Sequence, residues 1–341
     1  MDKQNSDKFI YNLSTIANII NYLEKDELIS LRNIMKKKIN ISVVCLLQLH
    51  EIDKELVVSG SCDSTMKVWK IEKDQCIRTL TGHKSIVKCM IWIKDLNKHF
   101  ILSGSEDTTL KLWNIDTGKC INTLVGHKGA INSLIYLNEI DKNLVASGSA
   151  DFNIKLWVIS IGDCIKTLEG HTNSINSILY QKTASGSMLL SFGQDETIKV
   201  WNINNKDYTS NNAFSNIKTG QINASIAFGS SKVLTCGEDN LVKVWCLIKW
   251  DKLKSFGEHK GPIKCIINLE DIDSGLFATG SEDKTIRIWN LKIKDEKIEV
   301  TVINVINVKT CFPFSIVQLK LYKEKTLATG NNDGTIQLIK I

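Results

Sequence analysis

From residue 41 to the end of the chain, apolar and polar positions follow the rhythm of short strands. The run NIKLWVI alternates, with Ile154, Leu156 and Val158 on one side and Lys155 and Trp157 on the other. Upstream, AINSLIYL is a strand-length apolar run, and LVASGS is a second run ending in a small-residue turn. Downstream, DCIKTL is a fourth short strand. Period-two alternation bounded by Gly, Asp, Asn and Ser predicts strand and turn. Four strands in 44 residues leave no room for a crossover helix, so the sheets are expected to be antiparallel meanders.

The tryptophans measure the repeat. Trp69, Trp113, Trp157, Trp201, Trp245 and Trp289 are each 44 residues apart, and a seventh copy, TGNNDGTIQLIK, carries Ile339 in the tryptophan slot. Six residues before each of these positions stands an aspartate, and ten before stands Ser or Thr. A histidine follows a tryptophan by fourteen residues four times, as Gly-His at His83, His127 and His171 and as Gly-Glu-His at His259. A fixed period of this size signals a solenoid, propeller or array. One such sheet has two apolar faces and cannot cover them alone, so copies must stack. Neither end of the array has a polar cap, which favours closing seven copies into a ring.

With these offsets the chain resembles the WD-repeat β-propellers, over residues 41–341. The resemblance implies an all-β fold: a seven-bladed propeller of four-stranded antiparallel blades. The chain departs from the family pattern in lacking Asp after Trp: Asn follows Trp113, Trp201 and Trp289, and Lys follows Trp69. Blades one, five and seven lack the His, and blade seven lacks the Trp.

A Ser, an Asp and a His at constant offsets look like a hydrolase triad. Here the set is complete four times: His83/Ser103/Asp107/Trp113, His127/Ser147/Asp151/Trp157, His171/Ser191/Asp195/Trp201 and His259/Thr279/Asp283/Trp289. Catalysis needs one nucleophile in one pocket, so repetition argues for a framework. The resemblance implies that each set is a structural hydrogen-bond relay, with indole as donor, carboxylate as acceptor, and imidazole and hydroxyl between them. No catalytic residue, metal or cofactor is expected.

The last repeat ends at Ile341 after its third strand. SLRNIM, 30–35, resembles the fourth-strand string CIRTLT at 76–81, and residues 29–36 are expected to close the last blade. The chain then divides into a helical segment, 1–28, and the propeller, 29–341. Leu13, Ile16, Ile20 and Leu23 have helical spacing, with Ser14 as N-cap. The same region resembles an F-box, without the usual Leu-Pro opening, and would then read 30–35 as helix. That alternative makes the protein a substrate-recognition subunit of a cullin-type ubiquitin ligase.

The resemblance also implies a docking face, formed by residues three and five after the His and the one before the Asp. Five after, or equivalent, are Val44, Lys88, Asn132, Asn176, Asn223, Lys264 and Val317. Before the Asp are Cys62, Glu106, Ala150, Gln194, Glu238, Glu282 and Asn332, and three after include Ile86, Ala130, Ser174 and Pro262. This mixed ring suits a protein or peptide partner, and Glu238 is a place for a basic side chain. Residues 204–220 and 299–314 break the repeat, the latter holding six extra residues before the last blade.

Composition narrows the rest. Net charge is +6, but only Arg32, Arg78 and Arg287 are arginine, leaving 40 lysines. Base and phosphate readers favour the guanidinium fork, so nucleic acid is disfavoured as a partner. No apolar run approaches the roughly 20 residues that span a bilayer, and no signal sequence is visible. A monomeric cytoplasmic protein is expected, also nuclear if Lys36, Lys37 and Lys38 form an import signal. None of the ten cysteines shows Cys-x-x-Cys spacing, and Cys45, Cys89 and Cys265 each lie 24 residues before a tryptophan, as small residues at equivalent positions.

Overall fold

A computed structural model describes residues 42–96, 99–183, 186–203, 210–211, 219–269, 275–294, 297–308, 311–320 and 325–341. The expected N-terminal helix, the closing strand 29–36, the F-box-like segment and most of 204–220 lie outside the described residues.

Seven antiparallel sheets follow one another along the chain, their strands paired in sequence order. Blade 3 is typical: Ile131–Tyr136, Leu144–Ser149, Ile154–Val158 and Asp163–Leu168. These are the four runs picked out by apolar periodicity. The blades span residues 43–80, 87–124, 131–168, 175–211, 222–256, 263–307 and 313–340. Blade 7 has three strands among the described residues.

Second strands are the most deeply placed, and LVVSGS, LVASGS and TLATGN are buried at every residue. Their small residues let the next blade close in. A Cβ on Gly60 would lie 2.6 Å from the Cys45 sulfur and 2.9 Å from Val87 of the next blade. Tryptophans fill the space between blades: Trp113 of blade 2 packs with Leu80 and Met66 of blade 1, and is 1% exposed. Truncating such a side chain to Ala costs about 3–5 kcal/mol.

The ring closes between the seventh and first blades. Val43, Val57 and Trp69 share one core cluster with Leu319, Ala328, Ile336 and Leu338. Ser42 Oγ donates to the Asn332 carbonyl at 2.6 Å, the Leu46 amide to Ser315 Oγ at 3.2 Å, and the Lys320 amide to Gln48 Oε1 at 3.0 Å. The molecule is therefore an all-β seven-bladed propeller of antiparallel blades.

The six extra residues near the last blade sit elsewhere than expected. Trp69 pairs with Cys76, seven residues on, whereas Trp289 pairs with Val302, thirteen on. The insertion thus lengthens the hairpin between the third and fourth strands of blade 6, Thr285–Lys294 and Lys297–Asn307. Its Ile293, Ile298 and Val300 pack onto the blade 5–6 core beside Leu253 and Phe256. Lys254 of blade 5 donates to the Ile298 carbonyl at 2.7 Å. The extra length clasps two blades.

Every turn between second and third strands holds a residue with left-handed backbone, one after the aspartate: Ser64, Thr108, Phe152, Glu196, Asn240, Lys284 and Gly334. Only blade 7 uses glycine there. The aspartate holds the turn, as Asp107 Oδ1 accepts the Thr109 amide at 2.9 Å and hydroxyl at 2.7 Å. Phe152, at φ 73° and 42% exposed, is the bulkiest of these seven turn residues. Asn tolerates it far better than other side chains. Phe152→Asn is expected to stabilise the protein by about 1 kcal/mol, read as an upward shift in urea midpoint with unchanged slope.

Candidate interaction face and the relays beneath it

In each of the four blades with this histidine, it lies on the connector that enters the blade and reaches two of its residues. Nδ1 of His83, His127, His171 and His259 meets Asp107, Asp151, Asp195 and Asp283 at 2.7–2.8 Å. Nε2 meets Ser103, Ser147, Ser191 and Thr279, also at 2.7–2.8 Å. The same hydroxyl accepts the indole N–H of Trp113, Trp157, Trp201 or Trp289 at 2.8–2.9 Å.

Proton direction follows from the ends of the chain. The indole can only donate, so the hydroxyl proton is free to point at Nε2, and the ring proton sits on Nδ1 and points at the carboxylate. A neutral imidazole fits this pattern. Burial lowers the pKa of His83 and His259, outweighing the pull of Asp107 and Asp283. For the carboxylates, burial opposes ionisation but hydrogen bonds win. Asp107, Asp151 and Asp283 are held at about 2, and Asp195 is depressed too. The histidine side chains are 0–1% exposed with both ring nitrogens engaged, leaving no ring edge open to a substrate.

Blades without histidine are wired differently. In blades 1 and 5 the indoles of Trp69 and Trp245 still donate to Ser59 and Thr235 at 2.8 Å. In blade 5 the buried Lys243 ammonium bonds Asp239 and the Thr219 carbonyl. Lys67 makes a looser pair with Asp63 in blade 1, at 3.8 Å. Both lysines stand two residues before the tryptophan. In blades 2 and 3 that lysine, Lys111 or Lys155, reaches an outer-strand threonine instead. Lys243 was not singled out from sequence, because lysine fills this slot in five blades and its inward turn depends on the missing imidazole.

Above the relays lies a second repeating feature. Every inner strand has a bulge near its start, and the bulged residues are Val44, Lys88, Asn132, Asn176, Asn223, Lys264 and Phe314. The register replaces Val317 by Phe314 as the blade 7 equivalent; Val317 pairs with Ala328 further along the strand and packs against the blade 7–1 core. The amide N–H of the residue before each aspartate bonds the connector carbonyl two residues before the bulge. Glu106 donates to Ile86, Ala150 to Ala130, Gln194 to Ser174, Glu238 to Gln221, Glu282 to Pro262 and Asn332 to Phe312, at 2.8–3.1 Å. The residues expected on the face therefore form one ring, in blades with and without histidine.

Two donor types stitch that ring. Asn132, Asn176 and Asn223 donate through Nδ2 to the carbonyls of Ile175, Ile222 and Ile263 in the following blades, each at 3.0 Å. Where the bulge is not Asn, the next residue takes over in blades 1, 2 and 6. The thiols of Cys45, Cys89 and Cys265 point at the carbonyls of Val87, Ile131 and Pro313, at 3.5–3.9 Å. Burial lifts the Cys89 and Cys265 thiols to about 12 and Cys45 well above its ordinary value. They remain protonated donors, unsuited to nucleophilic attack. The charged members of the ring pair with one another: Lys88 with Glu106 at 3.4 Å, and Lys264 with Glu238 at 2.8 Å and Glu282 at 3.2 Å. A basic partner side chain at Glu238 would therefore share the carboxylate with Lys264.

Among the described residues, no group of three or more His, Cys, Asp or Glu is placed to hold a metal ion, and no helix is long and apolar enough to cross a membrane.

Asp151 accepts from His127, the Lys128 amide and the Asn153 amide. Asp151→Ala is expected to cost about 2–3 kcal/mol by urea denaturation, as hydrogen bonds to a charged group. An aspartate depressed on folding adds stability that is whole above about pH 4 and is lost as pH falls through its folded value. A histidine depressed on folding loses its contribution as pH falls below about 6.5. The melting temperature should thus decline gently from about pH 6.5 and steeply between about pH 4 and 2.

The family model for the WD domain, G-beta repeat (WD40) matches residues 41–70, 74–114, 118–158, 162–202 and 250–290, more than half of the chain. Four of these stretches run from an outer strand through its connector into the next three strands, and so contain one complete relay each. No curated protein matches the chain as a relative. With the ring closed, the relays in place and the repeats matched, the chain belongs to the WD40 repeat family.

Proposed function

We propose that this protein is a non-catalytic scaffold or adaptor that docks protein or peptide partners on the ring of bulge and turn residues. Propellers of this family generally serve as protein-interaction scaffolds. One observation carries the reading: the frame repeats while the ring it presents does not. All seven blades place an Asp turn, a left-handed residue and a bulge at the same register. The side chains mounted there range over Val, Lys, Asn and Phe on the bulges, and Cys, Glu, Ala, Gln and Asn before the aspartates. Relays repeated in four blades and sealed from solvent support a framework role for the Ser, Asp and His, not a catalytic one.

The docking set includes Ile86, Lys88, Glu106, Asn132, Asn176, Gln194, Asn223, Glu238, Lys264, Glu282 and Asn332. The pairing of Lys88 and Lys264 with glutamates weighs against a phosphate-reading ligase receptor, which needs uncommitted cations. We place the protein inside the cell, as a monomer by itself, in the cytoplasm, and in the nucleus as well if Lys36, Lys37 and Lys38 act as an import signal. Affinity purification of the whole protein beside a Lys88/Glu106/Glu238/Lys264/Glu282→Ala variant tests the reading. Co-purifying proteins should drop away from the variant while its melting temperature stays within a few degrees. Equal recovery on both would move the docking surface elsewhere.

Residues 29–36 supply the fourth strand of blade 7 in this reading, with 1–28 as a helical segment packed outside the ring. Its third strand, Ile336–Lys340, is the last strand of the sheet among the described residues, and each ladder bond added there is worth about 0.5–1.5 kcal/mol. Deleting 1–36 should lower the melting temperature sharply, while deleting 1–10 should leave it unchanged. Equal stability of both truncations would remove the closing strand from the scheme.

A further inference from the structure

The chemistry of the partner can be narrowed by asking which polar atoms of the ring are already engaged. The amides of Asn132, Asn176 and Asn223 each donate to a carbonyl of the following blade, and those of Asn132 and Asn223 donate also to Ser174 Oγ and Glu238 Oε1. The ammonium groups of Lys88 and Lys264 go to carboxylates. In the sector of blades 5 and 6 the donors Asn223 and Lys264 are committed, and what that sector keeps for a partner is acceptors. Lys264 and Asn223 use Oε1 of Glu238, and Lys264 uses Oε1 of Glu282. The Oε2 atoms of both have no protein donor among the described residues, and these side chains are 39% and 38% exposed. One lysine between two glutamates leaves that sector with a net negative charge.

Next to it, across the blade 6–7 seam, the ring turns apolar. The Phe312 and Phe314 rings meet edge to face at 5.0 Å on the connector and bulge of blade 7, and both stay half-buried. The Cys265 thiol reaches the Pro313 carbonyl between them, so the carboxylate and aromatic sectors are direct neighbours. Val44 continues the apolar arc at the bulge of blade 1. Aromatic pairs of this kind take an apolar side chain well, and a partly desolvated carboxylate pair takes a cation.

Resting on the docking reading above, we infer that the partner is a protein segment carrying a bulky apolar residue close to a lysine or arginine. The apolar side chain seats against Phe312, Phe314 and Val44, and the cation bonds Glu238 and Glu282 beside Lys264. Lys84, Lys128 and Lys260 follow the histidines, one per blade and solvent-exposed, and would be the attraction for an acidic segment instead. They are exposed charges set one to a blade, and such charges contribute little.

Phage-displayed random twelve-residue peptides selected on the full-length protein decide the matter. Enriched sequences should pair Lys or Arg with Phe, Trp, Leu or Met within a few positions. A synthetic peptide of the enriched sequence should lose about tenfold or more in affinity on Phe314→Ala and on the double variant Glu238→Gln/Glu282→Gln. Its affinity should also weaken with added salt. Melting curves of both variants within a few degrees of the parent exclude unfolding as the cause. Acidic or uncharged peptides, released by Lys84/Lys128/Lys260→Ala but not by Phe314→Ala, would overturn the partner chemistry while keeping the docking face. Absence of enrichment, or peptides indifferent to all these substitutions, would overturn both.

Discussion

A four-stranded blade that is apolar on both faces has to be covered on both sides, and everything else in this molecule serves that requirement. A face buried at Trp113 on one blade needs Leu80 and Met66 on its neighbour. Only a closed ring supplies a neighbour to every blade without a cap. Closing it brings backbone carbonyls and indole N–H groups into apolar seams, where an unmet donor or acceptor costs about 1–3 kcal/mol. The relays, bulges and inter-blade amides answer that second demand.

The answers are interchangeable in kind. A carbonyl at the start of the next inner strand is met by an asparagine amide after blades 3, 4 and 5, and by a thiol after blades 1, 2 and 6. The amide is the stronger donor, but the thiol lets the bulge residue be Val or Lys and so frees that position for the surface. Likewise the Asp239 carboxylate, deprived of an imidazole, takes the lysine two residues before the tryptophan. What recurs is the satisfied acceptor, not the residue that satisfies it.

This equivalence sets how far the sequence could be read. Period-two runs and the 44-residue tryptophan spacing gave strand positions in blade 3 to within a residue, because each strand alternates on its own. The sets at His83, His127, His171 and His259 were visible because all four partners hold fixed offsets. Bulges have no such signature: an extra residue opposite one partner changes pairing without changing composition. That is why Phe314 was missed for Val317, and why six residues inside a hairpin looked like a spacer before the last blade. The cysteines looked like small apolar filler because a thiol's hydrogen bond depends on a carbonyl 42 or 48 residues away.

Blade 7 shows what happens where the substitutions run out. Ile339 occupies the tryptophan slot and has no indole N–H to give, so the fully buried Thr329 hydroxyl has no partner among the described residues. Asn331, equally buried, bonds the Thr335 hydroxyl through Nδ2 at 2.9 Å but leaves its Oδ1 unmet. No other blade leaves its tryptophan-facing hydroxyl without a donor. The cost falls on the blade that closes the ring, between Leu319 and Val43, and that also carries Phe312 and Phe314. Blade 7 thus leaves that hydroxyl unmet at the seam where the ring closes, and the aromatic sector rides on it. A ligand seated across Phe314 and Val44 would bridge blades 7 and 1, and its binding energy would add directly to the seam that holds the circle shut.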